Sequence, residues 1–100
     1  EVDRADPALG TPPHALVLAT ATEFPAQHWM PATEEAHRPD LRADMAFFET
    51  PGGGAVFATG SIAWCGALPY NGYANNVSTI TRNVLDRFLS PEPFDPPPLR

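Results

Sequence analysis

The 100-residue sequence has no lysine, one cysteine, and no apolar run approaching the roughly 20 residues a membrane-spanning helix requires. Each shortage narrows what the chain can do. Its six basic residues are all arginines, scattered singly through a chain of net charge −6. A surface that grips phosphates needs clustered cations, so nucleic acid is not an expected partner, and neither is a membrane. A single cysteine, Cys65, cannot close an internal disulfide, and small secreted scaffolds carry even sets. A reducing, cytoplasmic setting is therefore expected. No basic residue or helix start adjoins Cys65, so it reads as a buried, inert thiol rather than a nucleophile. His14, His28 and His37 lie far apart, without His-x-His or Cys-x-x-Cys spacing, so no metal ligand is assigned within the chain.

What the sequence does have is proline and apolar content. Hydrophobic residues make up 43%, enough to argue against global disorder. Ten of the thirteen prolines fall at Pro12-Pro13, at Pro25, Pro31 and Pro39, and five times from Pro91 to Pro98. Proline cannot donate to a ladder, so regular structure is confined to roughly half the chain. That is little for an independent α/β domain, and the chain is expected to be a piece of a larger one. It begins at Glu1 rather than Met, so an upstream segment, targeting peptide included, stays open.

Taken in order, the acidic start and Gly10-Thr11-Pro12-Pro13 form a loop entering a strand over residues 14–20. Its continuous centre, Leu16-Val17-Leu18, suits a strand covered on both faces. Residues 21–42 show no clean period, and His28-Trp29-Met30 reads as a surface loop pinned by Trp29. A second strand spans 43–50, with Asp44 and Glu49 polar at its ends. Pro51-Gly52-Gly53-Gly54 then predicts a tight reversal into a third strand over 55–59, giving an antiparallel hairpin. A phosphate loop needs its glycines between strand and helix, and here they precede a strand. Asn75 or Asn76 supplies an N-cap for a helix over 77–89. Val77, Ile80, Thr81, Val84, Leu85 and Phe88 fall on one stripe, with Arg82, Asp86 and Arg87 facing water, and Ser90-Pro91 ends it. Residues 91–100 should run as an extended proline-rich tail along a surface, with Phe94 and Leu99 able to dock.

Candidate chemistry is sparse. Ser61 lacks the second glycine of a Gly-x-Ser-x-Gly elbow and is expected to bond local backbone. Residues 64–76 concentrate an indole, two phenols and three primary amides. Trp64, Asn71, Asn75 and Asn76 are therefore candidates for a mostly apolar substrate pocket with a few orienting groups. The same amides also suit a capping loop, and both roles stay open. Glu1, with Asp3, is a candidate general base at the start of the sheet.

Several separated blocks carry a resemblance. Gly53-Gly54-Ala55-Val56-Phe57-Ala58-Thr59-Gly60-Ser61-Ile62-Ala63-Trp64, then Asn75-Asn76-Val77-Ser78 and Asn83-Val84-Leu85-Asp86-Arg87-Phe88, resemble the C-terminal end of the N,N-dimethylformamidase large (beta) subunit family. So do Glu1-Val2-Asp3-Arg4-Ala5-Asp6, Leu9-Gly10-Thr11-Pro12 and Ala43-Asp44-Met45. The resemblance covers nearly the whole chain, and residues 23–38 and the tail are least typical. It implies an α/β fold: the C-terminal part of a layered, glutamine-amidotransferase-like catalytic domain at 1–90, with the tail at 91–100. The implied activity is iron-dependent hydrolysis of dimethylformamide to formate and dimethylamine, in a hetero-oligomer with a small helical subunit. The iron ligands implied, two tyrosines and a glutamate, are expected upstream, outside this segment, and Tyr70 and Tyr73 are not promoted to that role. The resemblance also makes Glu1 the candidate for an additional glutamate near the site, able to take a proton from metal-bound water. The alternative is a non-catalytic segment of a larger α/β protein that holds a ligand or partner through residues 64–76.

Overall fold

The computed structural model describes residues 2–24 and 41–98. The expected loop at His28-Trp29-Met30, Leu99 and Glu1 all lie outside the described residues. Within them the chain forms one three-stranded antiparallel sheet and a C-terminal helix, compatible with the α/β expectation. Strand β1 is Leu16–Ala21, β2 is Ala43–Glu49 and β3 is Ala55–Ala58, in that spatial order. A short helix α1, Trp64–Ala67, and a turn at Tyr70–Tyr73 lead into the long helix α2, Asn76–Leu89.

The hairpin forms where proline and the three glycines place it. Phe47 pairs with Phe57 and Glu49 with Ala55, and the Thr50 amide closes the turn on the Gly54 carbonyl at 2.8 Å. Gly53 turns the chain at φ +84°, a region a side chain disfavours. Strand β1 begins two residues later than expected. Ala15 donates to the Pro12 carbonyl at 2.9 Å, which holds His14 in a turn, and His14 Nε2 donates to the Glu49 carbonyl at 3.0 Å instead of joining the ladder. The β1–β2 register then slips between Val17 and Ala19, so Leu18 is an extra residue in a bulge.

Asn75 caps α2: its side-chain oxygen accepts from the Ser78 amide at 2.9 Å, and the helix starts at Asn76. The helix meets the sheet through Phe57, Trp64, Val84 and Phe88, which surround a shared recess. Trp64 stands edge-on to Phe57, with ring centroids 6.3 Å apart. The tail closes the other end of this layer. Phe94 sits 5.6 Å from both the Phe47 and Phe88 rings, and its amide donates to the Gly53 carbonyl at 2.9 Å.

Three expectations are corrected. Arg87 does not face water: its guanidinium lies 3.7 Å from the Phe94 ring centre and donates to the Glu92 and Pro93 carbonyls, because the tail folds back over it. Cys65 is exposed, since α1 is one turn long and covers nothing on that side. The strand expected to be covered on both faces is open along its length, with Leu16, Val17 and Leu18 at 55%, 49% and 51% exposure. Leu85 and Phe88 of the helical stripe are likewise left partly uncovered. Among the described residues the only buried hydrophobic side chains are those of Ala43 and Ala46. One sheet and one helix cannot cover three strands on both faces.

Candidate functional site

The face of the sheet opposite α2 is crossed by the N-terminal segment, and Asp44 ties the two together. Asp3 donates its amide to the Gly60 carbonyl and accepts from the Asp44 amide, both at 2.9 Å, while Val2 bridges to Ser61. The Asp44 carboxylate, only 1% exposed, accepts from the Thr20 hydroxyl and the Ala5 amide at 2.8 Å each, and from Arg42 Nε at 2.9 Å. Arg42 also donates to the Ala5 carbonyl at 2.9 Å, so Asp44 and Arg42 together hold Ala5 by both its amide and its carbonyl. Burial pushes the Asp44 carboxyl up, but the Thr20, Ala5 and Arg42 hydrogen bonds and the Arg42 charge outweigh it. The net result holds Asp44 below the ordinary carboxylate value.

Gly60 makes this approach possible. It adopts φ +76°, and a Cβ there would overlap the Asp44 carbonyl group. Only glycine meets both demands without strain. The N-terminal segment and the sheet enclose an open cleft of about 540 Å³. Its apolar floor is Ala46, Phe48 and Ala58, and Asp3, Thr11 and Ser61 stand at its polar rim. Such a cleft suits a small molecule with one polar end.

The residues singled out from sequence fall in two places. Asp3, two residues after Glu1, lines this cleft, and Glu1 itself lies outside the described residues. Trp64 and the asparagines gather instead around the start of α2. Trp64 Nε1 donates to Thr81 Oγ1 at 2.9 Å, and the ring lines two recesses of about 350 and 270 Å³ between sheet and helix. Asn75 donates to the Leu68 and Tyr70 carbonyls at 3.0 and 2.7 Å while capping Ser78. Asn71, at φ +53°, donates to the Ala74 carbonyl at 3.1 Å, and Asn76 is the exposed first residue of α2. The capping role of this loop is thus present in Asn71 and Asn75, and of the four residues Trp64 alone lines the clefts described. Ser61 bonds local backbone, accepting from the Ala63 amide at 3.1 Å.

Asp44, Thr20 and Arg42 were not singled out from sequence as a cluster. Thr20 and Ala5 lie 24 and 39 residues from Asp44, beyond any local pattern. The one legible signal is Arg42-x-Asp44, opposite charges two apart along a strand and so on one face. Among the described residues no three His, Cys, Asp or Glu side chains come together to hold a metal. No described helix is long and apolar enough to cross a membrane.

Comparison with known proteins bears on the same elements. The family model for "N,N-dimethylformamidase beta subunit-like, C-terminal" matches residues 1–76. An N,N-dimethylformamidase beta subunit from Alcaligenes sp is 43% identical over 102 aligned residues, covering 93% of this chain. One of the same description from Paracoccus aminophilus is 42% identical over the same share. The chain spans 13% of the length of each of these relatives.

Proposed function

Since the chain belongs to the N,N-dimethylformamidase beta subunit-like, C-terminal family, we propose that it is a segment of an amide hydrolase that cleaves dimethylformamide, or a related small N-substituted amide, to formate and dimethylamine. Residues 1–90 finish a layered, glutamine-amidotransferase-like catalytic domain, and residues 91–100 are its proline-rich tail. The remainder of the large subunit supplies the iron and its ligands, and a small helical subunit completes a hetero-oligomer in the cytoplasm. This segment alone is inactive.

Hydrolysis of a formamide requires water to bond to the formyl carbon as it loses a proton, and the amine nitrogen to gain one as the C–N bond breaks. Glu1 is the group we assign to take the proton from water. What supports that assignment is the position of its segment, pinned by Asp3 and Ala5 beside an apolar-floored cleft with polar groups at its rim. Trp64, Asn71, Asn75 and Asn76 are assigned to a substrate pocket on the α2 side of the sheet, with Trp64 as its apolar wall, on the opposite face from the cleft that Asp3 borders. The observation that carries the whole reading is the family match over residues 1–76, which takes in the Glu1 segment, the Asp44 strand and the Gly60 turn.

A second reading, a non-catalytic segment that supports a site elsewhere, is favoured by one observation. The Asn71 and Asn75 amides donate to loop carbonyls rather than pointing into a cleft. Amine release from a panel of N-alkyl formamides, measured on the complete assembly with and without Glu1→Gln, separates the two. Loss of turnover with assembly and iron content kept supports catalysis through Glu1, and retained turnover makes the segment a scaffold. No turnover by the wild-type assembly removes the hydrolase reading.

A further inference from the structure

Strand β1 is built like the middle of a sheet but, among the described residues, sits at its rim. Strands that end a sheet carry guards against further pairing: lysines, prolines, inward charges, β-bulges or a covering loop. Leu16-Val17-Leu18-Ala19-Thr20-Ala21 has no charge and no proline, and all six residues are exposed. Leu16 and Val17 pair with Phe47 and Ala46 and so lie on opposite faces of the sheet, and both are apolar. A strand apolar on both faces belongs where both are covered. The bulge at Leu18 adjusts the ladder toward β2 and puts no charge on the outer edge.

We infer that the outer edge of β1 pairs with a further β-strand contributed by the same, longer polypeptide, outside the residues of this chain. The inference rests on the reading that the chain is a segment of a larger subunit. The relatives are long enough to supply such a strand and its covering elements, since this chain corresponds to 13% of them. A second copy of this chain fits worse. It would bring one helix to the doubled sheet, too little to cover both faces of the strands meeting at the join. The added strand is apolar on the side that packs with Leu16 and on the side that packs with Val17, and its backbone satisfies the outward groups of β1.

The test is residue-resolved hydrogen exchange on the full-length subunit in its assembly. Every amide of Leu16–Ala21 is expected to exchange at least about 100-fold more slowly than an unprotected amide, outward-facing ones included. Alternation, with amides facing β2 slow and outward ones within about tenfold of unprotected rates, overturns the inference. A photo-crosslinking residue at Leu18 identifies the occupant. A crosslink to a position of the same polypeptide outside the residues of this chain supports the inference, and one within this chain or to a second polypeptide overturns it. Amine release from dimethylformamide, measured on the same sample, keeps the two readings apart. Turnover with an unprotected edge defeats the strand pairing alone, and a protected edge without turnover leaves the pairing standing and defeats the proposed activity.

Discussion

Removing the Asp44 carboxylate should loosen the N-terminal segment without disturbing the hairpin. In Asp44→Ala the Ala5 amide and the Thr20 hydroxyl lose their acceptor, and Arg42 loses its counter-ion. Breaking a buried pair costs about 3–5 kcal/mol, and an unpaired buried amide about 1–3. Arg42 is 40% exposed and can hydrate, so the lower end applies, about 3 kcal/mol. Asp44→Asn is milder. One oxygen still accepts from Ala5 and Arg42, the new amide donates to the Thr20 oxygen, and only the charge is lost, at about 1 kcal/mol.

Native-state hydrogen exchange of the Ala5 amide in the full assembly reads this opening directly. The expected acceleration is about 100-fold for Asp44→Ala and about fivefold for Asp44→Asn. The sign of the pH dependence follows from the lowered carboxyl. The contribution is fully present above about pH 4, the unfolded value, and is lost as pH falls through the lower folded value. Ala5 protection, corrected for intrinsic rates, should therefore fall on acidification in the wild type and stay flat in Asp44→Asn. If Asp44→Ala leaves Ala5 exchange within about threefold of wild type, the carboxylate does not hold the segment and the reasoning fails.

Other perturbations follow from the same contacts. Gly60→Ala should cost more than about 2 kcal/mol, through φ +76° and overlap with the Asp44 carbonyl, and lower the thermal midpoint of the assembly. Phe94→Ala should free the tail, losing two ring contacts and the Arg87 contact worth together about 1–3 kcal/mol; limited proteolysis after residue 90 should quicken. Asn75→Ala should fray the start of α2 by about 1–2 kcal/mol, read at the Ser78 amide, whereas Asn75→Asp restores that cap but not the bonds to Leu68 and Tyr70.

Local chemistry made much of this fold legible. Pro51-Gly52-Gly53-Gly54 announces the hairpin because its conformational demands are met within a few residues, and Asn75 announces α2 for the same reason. Residues whose roles depend on distant partners were not legible. Asp44 reads as a polar strand end until Thr20 and Ala5 arrive, and Arg87 reads as a solvated face until Phe94 folds back. Leu16-Val17-Leu18 gave a correct strand with a cover that the described residues do not supply. At the candidate site, the N-terminal segment was visible as a distinct block of sequence. Its anchoring through Gly60 and Asp44 was not, since neither residue neighbours it along the chain.

The extra residue at Leu18 sets a phase as well as a bend. Counting without it from the Val17–Ala46 pair, Ala19 would stand opposite Asp44, and Thr20 would point its hydroxyl through the other side of the sheet. With it, Thr20 stands opposite Asp44, within 2.8 Å of its carboxylate. Shortening the chain by deleting Leu18 would preserve that match, whereas ironing the strand flat at constant length would replace the hydroxyl with a methyl group. The segment is thus tolerant of a change in length and intolerant of a change in frame.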